Sequence, residues 1–131
     1  MPTVDLNRNE LEALRILWEE EDGALKPAEI EARFSWPIEN ATLRSVLVNL
    51  VEKGHIRREI QGKAFFYRAQ VAKATVLQTM IKGLARIFAA GSHQGLVAQL
   101  VETGDLTPED LKLLHRTAAG KSTAKSRRNR P

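Results

Sequence analysis

The chain contains no cysteine. Disulfides, thiolate metal sites and thiol catalysis are excluded together. Aromatic residues make up only 5% of it, and no segment approaches the roughly 18 uninterrupted apolar residues of a membrane span. The opening residues, MPTVDLNRNE, have no basic stretch followed by an apolar run, so no secretory signal or membrane insertion is expected and the protein is read as cytoplasmic. Catalytic motifs are missing as well. The three histidines, His55, His93 and His115, lack the spacing that sets two ligands on one helix face. There is no glycine-rich phosphate loop and no nucleophile elbow. No enzyme, metal site or cofactor is expected. Asn40-Ala41-Thr42 matches the N-glycosylation pattern, but in a chain read as cytoplasmic the match is chance.

What is present is a moderate apolar content and an uneven charge. With 131 residues and 43% hydrophobic side chains, the chain can bury one core of modest size. The net charge is +4, yet residues 1–40 hold ten acids against four bases. Residues 41–90 reverse this with nine bases against two acids, and the last eleven residues add five more bases. A basic middle on an otherwise acidic chain is the electrostatic footprint of a polyanion binder.

Asn7 is placed to cap a first helix running to about Glu20, with Glu10 three residues on to reach back to the cap. Leu11, Leu14, Ile16, Leu17 and Trp18 supply its apolar side. A short second helix starts around Pro27, with Ala28, Ile30, Ala32 and Phe34 as apolar positions, and Trp36-Pro37 interrupts after it. A third helix spans about Glu39 to Lys53, with Leu43, Val46, Leu47, Leu50 and Val51 on its buried stripe. The period then drops to two: Ile56, Arg58 and Ile60 alternate with Arg57, Glu59 and Gln61. Gly62-Lys63 has the form of a two-residue type II′ turn, and the return strand is AFFYR, residues 64–68. Three helices and a tight basic hairpin form a winged helix-turn-helix, the expected fold of residues 1–70.

From Val71 the helical period resumes in what is expected to be a helical dimerisation region, residues 71–120. Val76, Leu77, Met80, Ile81, Leu84, Ile87 and Phe88 make one stripe, and Leu96, Val97, Leu100 and Val101 follow on a short helix capped by Ser92. Thr107-Pro108-Glu109-Asp110 opens a last helix with a cap, a first-position proline and first-turn acids. The winged domain has its own core, so these stripes point to a second copy, and two-fold dimers are the commonest closed assembly. Residues 121–131 read as a basic disordered tail.

On a helical wheel, the face of helix 39–53 opposite the buried stripe carries Ala41, Ser45, Val48 and Glu52, flanked by Thr42 and Asn49 on one side and Arg44 on the other. Its small side chains permit close approach to a major groove, where Arg44 reaches a guanine edge or a phosphate and Thr42 and Ser45 donate to either. Arg57, Arg58, Lys63 and Arg68 lie where a wing would follow the phosphates. The alternative is a winged-helix module for protein contacts without sequence-specific DNA binding, its basic wing facing an acidic partner.

The segments LNRNELEALRILWE, AEIEARF, ATLRSVLVNLVEKGHI, GKAFFYR and GSHQGLVAQLVETGDLTPEDLKLL together resemble the penicillinase-repressor (BlaI/MecI/CopY) family of bacterial transcriptional regulators, over about residues 5–118. The resemblance implies a homodimer that binds an inverted-repeat DNA operator and represses transcription. The family's reading-helix contacts carry over to Thr42, Arg44 and Ser45, with Asn40 and Ala41 beside them. Its induction route, cleavage within the dimerisation segment triggered by a membrane sensor protease, would fall at Gln99–Leu100. Antibiotic-responsive members have Asn followed by Phe there. The copper-responsive branch carries a C-terminal cysteine pair, which this chain lacks, so copper sensing by that route is excluded. Lys26-Pro27 stands where a Ser or Thr cap is usual, so the second helix is expected to fray at its first turn.

Overall fold

The capping box at Asn7 forms as its spacing predicts. In a computed structural model, which describes residues 6–20 and 23–116, Asn7 Oδ1 accepts from the Glu10 backbone N–H at 2.8 Å, and Glu10 Oε1 accepts from the Asn7 N–H at 2.9 Å. Helix α1 (Arg8–Glu19) grows from this cap. Helix α2 (Pro27–Arg33) follows, then α3 (Asn40–Glu52), strands β1 (Ile56–Gln61) and β2 (Ala64–Ala69), and helices α4 (Lys73–Ala89) and α5 (His93–Glu102). Residues 108–116 are also helical. There Thr107 Oγ1 accepts from the Asp110 N–H and Asp110 Oδ2 from the Thr107 N–H, so the expected cap is present.

The chain divides into two compact units, Met1–Met80 and Ile81–Pro131. In the first, α1 packs on α2, α3 and β2. Ala13, Leu14, Ile16 and Leu17 of α1 meet Ile30 of α2, Leu43, Val46, Leu47 and Leu50 of α3, and Ile56 and Tyr67 of the hairpin in one core. The hairpin is antiparallel, with Ile56 opposite Ala69 and Gln61 opposite Ala64. Gly62 closes it with φ of +64°, and Lys63 keeps a negative φ, the signs of the expected II′ turn. Leu25 adds a short third pairing on β2, exchanging both backbone hydrogen bonds with Tyr67 at 2.9 and 2.8 Å. Nothing periodic in the sequence marks that bridge.

Several expected core positions differ. Val51 is exposed, because it lines the open cleft beside the hairpin with Val48 and no element covers it there. Ala28 and Ala32 are exposed and only Ile30 of α2 is buried, since a seven-residue helix turns one short face inward. Leu11 is half-buried. On β1 only Ile56 is buried, and Ile60 is 65% exposed, because only the base of the hairpin reaches the core. The first turn of α2 is held: Glu29 Oε1 accepts from the Lys26 N–H at 2.8 Å, the half of a capping box that needs no Ser or Thr.

Two carboxylates are buried in α1. Glu10, 1% exposed, takes the ammonium of Lys53 at 2.9 Å besides its capping bond, which fixes the C-terminal end of α3 to the start of α1. Glu12 receives Arg15 at 3.0 and 2.7 Å, and both the N–H and the hydroxyl of Ser35 at 2.8 and 2.7 Å. Buried charges persist where they are paired and hydrogen-bonded in this way. Trp36, just past Ser35, donates to Asn9 Oδ1 at 2.9 Å and lies under the Arg8 guanidinium at 3.9 Å. The link between α2 and α3 is thereby laid against α1, which sets the angle at which α3 is presented.

The second unit is shorter of buried surface. Ser92 Oγ accepts from the Gly95 N–H at 2.8 Å and starts α5. From α5, Gln99 Nε2 donates to the carbonyl of Phe88 on α4. Leu84, Ile87 and Phe88 on α4 and Val97 and Leu100 on α5 are exposed, and Leu96 is half-buried.

Candidate nucleic-acid interface

Helix α3 buries Leu43, Val46, Leu47 and Leu50, and this orientation turns Asn40, Ala41, Thr42, Arg44, Ser45 and Asn49 to solvent together. Val48, 48% exposed, continues that face. There is no acid in the first turn of the helix. Near its start Arg44 Nη2 donates to Asn40 Oδ1 at 3.0 Å, one helical turn earlier. The outer face is therefore small and polar around a single guanidinium, a shape that admits a base-pair edge.

The hairpin follows directly, and its four basic residues divide into two pairs. Arg57 and Arg68 are cross-strand partners. Like charges so placed repel, and Glu59 on the same face resolves this. Its carboxylate accepts from Arg57 Nη2 at 2.8 Å and from Arg68 Nε at 3.1 Å and Nη2 at 3.5 Å. Hydrogen bonding from Arg68, then from Arg57, holds the Glu59 carboxyl below its usual range. Arg68 also lies against the backbone of Gly23, where an added Cβ would stand 2.6 Å from Nη1; with φ of +130° the position suits only glycine. Arg58 instead stacks over Phe65 at 4.6 Å, and Lys63 stands exposed in the turn. Between α3 and the hairpin runs an open cleft of about 530 Å³ with Val48, Val51, Ile56 and Tyr67 along it and Arg57, Arg58 and Gln70 at its edge.

The residues read as a DNA surface thus sit on two adjoining elements of one unit. Sequence reasoning did not assign Glu59 or Phe65, although the turn at Gly62-Lys63 fixes the register that sets Arg68 across from Arg57 and Glu59 beside them. Among the described residues no group of three or more His, Asp or Glu side chains could hold a metal ion. No helix among them is long and apolar enough to cross a membrane.

The profile of the penicillinase repressor family matches residues 6–119 of this chain. The chain belongs to that family. Penicillinase repressor family members are DNA-binding transcription regulators and not enzymes, and this member is a winged-helix regulator of the same kind. One solved structure shares the fold. The hsRosR–S4 complex is similar with a TM-score of 0.51 at 18% identity, over 78% of this chain and 91% of that one. RosR of H. salinarum, grown from NaBr, gives 0.49 at 19% identity over 78% of this chain and 96% of that one. TrmBL2, an archaeal chromatin protein whose structure shows a novel mode of DNA binding, gives 0.46 at 26% identity over 91% of this chain and 40% of its own. No curated protein matches the chain significantly.

Proposed function

We propose that this penicillinase repressor family member is a cytoplasmic repressor that binds an inverted-repeat operator as a homodimer. Residues 1–70 are the DNA-binding domain, residues 71–120 the dimerisation domain, and 121–131, outside the described residues, a basic tail that adds affinity without sequence preference. The observation that carries the reading is the α3 surface: small, without an acid between its N-cap Glu39 and Glu52, and continuous with a basic hairpin. Asn40, Ala41, Thr42, Arg44, Ser45 and Asn49 meet the major groove, and Arg57, Arg58, Lys63 and Arg68 serve the wing beside the phosphates. The exposed Leu77, Met80, Leu84, Ile87, Phe88, Val97 and Leu100 support pairing with a second copy, with Val76, Ile81 and Leu96 at its margin.

Relief of repression is proposed to come from a membrane sensor protease cutting at Gln99–Leu100. That bond lies inside α5, so cleavage needs the helix to open locally. The test of the DNA reading is Arg44→Ala, titrated against a duplex selected by the parent from a random pool. A loss of about 1–3 kcal/mol for that duplex, with little change for random DNA, is expected of a base-reading arginine. Equal binding by a folded Arg44→Ala protein would instead favour the protein-interaction module.

A further inference from the structure

We infer that Asn40 is a positioning residue that holds Arg44 ready for a guanine, rather than a base reader itself. The inference rests on the proposed role of α3 in DNA reading. Asn40 is the first residue of α3 and Arg44 stands four residues on, so both project from the same side of the helix. Asn40 Oδ1 accepts from Arg44 Nη2 at 3.0 Å, and both side chains are exposed. The partner is an amide and not a carboxylate, and the first turn of α3 has no acid. Arg44 is therefore steadied without its charge being neutralised. The two wing arginines on Glu59 show a different arrangement, restrained by a carboxylate that offsets part of their charge.

An arginine fork presents five N–H donors, and the contact to Asn40 takes one of them at Nη2. The others remain for a bidentate contact to guanine O6 and N7, the commonest specific pairing in the major groove. A free arginine must be ordered when it binds, and an arginine already held by its neighbour loses less. Asn40 in turn has a lone pair committed to Arg44, which weakens it as an acceptor for the adenine amino group, whose recognition by asparagine needs the same oxygen.

A double-mutant cycle tests this on a duplex selected by the parent from a random pool. 7-Deazaguanine, which lacks N7, replaces the guanine that Arg44→Ala ceases to discriminate. Asn40→Ala is expected to weaken binding about three- to tenfold and to shrink the parent's penalty for 7-deazaguanine. In the Arg44→Ala background it should change nothing further. Its thermal melting should match the parent's, because the side chain is exposed. Equal losses in both backgrounds would make Asn40 an independent reader and overturn the inference, as would no loss in either while Arg44→Ala is itself impaired. If Arg44→Ala binds like the parent, the reading of α3 fails first and the positioning role goes with it.

Discussion

The two units of this chain handle their apolar side chains in opposite ways. Met1–Met80 closes its core: four α1 residues, Ile30, four α3 residues and the base of the hairpin are all buried in one cluster. In Ile81–Pro131, Ala85 alone is fully buried among the described residues, while Leu84, Ile87 and Phe88 are exposed beside Val97 and Leu100. Soluble monomers rarely leave that many large apolar residues uncovered in one short region. The proposed dimer would cover that surface, whereas the winged unit has a core of its own. The difference separates what holds α3 in place from what is proposed to bring two copies of it together.

The largest expected effect comes from breaking the open unit. In the proposed dimer Leu84→Glu places an unpaired charge against the partner, a penalty of several kcal/mol. The expected product is a monomer in sedimentation, with the core of the first unit intact. Affinity for a two-fold operator should fall by about 10²–10⁴, the gain that tethering two half-site binders supplies. Random DNA, bound mainly through wing cations, should be affected much less. A Leu84→Glu protein that sediments as a dimer and holds the operator normally would mean that these helices are covered in some other way.

Breaking the closed unit should show up as stability. Leu47 is 2% exposed at the centre of the core, and Leu47→Ala is expected to cost about 2–5 kcal/mol through lost transfer energy and the cavity left behind. Chemical denaturation measures it, and a parent-like midpoint would place Leu47 on the wrong side of α3. Glu12→Gln, in the same unit, should cost less, about 1–2 kcal/mol, since the hydrogen bonds to a charged group are weakened and not all lost. Hydrogen bonding from Arg15, opposed by burial and aided by Ser35, lowers the Glu12 carboxyl from 4.5 to about 2. A carboxyl so depressed stabilises the fold above its unfolded value of 4.5, and that contribution fades as pH falls toward 2. The gap between parent and Glu12→Gln should therefore be full at neutral pH and narrow between those two values. A gap that stays constant down to pH 2 would show that the carboxylate charge is not what matters.

Local signals were legible in the sequence, and long-range ones were not. The caps at Asn7, Ser92 and Thr107, the turn at Gly62-Lys63 and the α3 stripe all follow from neighbours within one turn or one hairpin. Most of the α3 face follows too, because burying Leu43, Leu47 and Leu50 decides where Thr42 and Ser45 must point. Glu12 meeting Ser35, Glu10 meeting Lys53 and Leu25 pairing with Tyr67 join residues more than twenty positions apart, and no periodicity encodes them. Val51 was misplaced for a related reason: a wheel gives its direction but not whether a distant element covers it, and Val51 lines the open cleft. At the wing, charge counting found the arginines but not which of them Glu59 holds.

The smallest expected effects compare the two units through one chemical deletion made twice. Asn7 and Ser92 each accept a hydrogen bond from a backbone N–H three residues on, at 2.8 Å in both cases. Removing an N-cap costs about 0.5–2 kcal/mol depending on setting. Beyond Asn7 the helix runs into the sealed core, and the Glu10 whose N–H it caps is itself buried. An N–H deprived of its acceptor there is hard for water to reach, so Asn7→Ala should fall toward the upper half of that range. The Ser92–Gly95 bond is exposed and no residue of α5 is fully buried, so water can replace the lost oxygen and Ser92→Ala should fall toward the lower end. Amide exchange read at Glu10 and at Gly95 separates local from global opening. The Glu10 amide should stay protected until the first unit opens as a whole, while the Gly95 amide should exchange faster in Ser92→Ala with little change in overall melting. Equal costs at the two caps would mean that α5 is as well sheltered as α1, which only a covered second unit could provide.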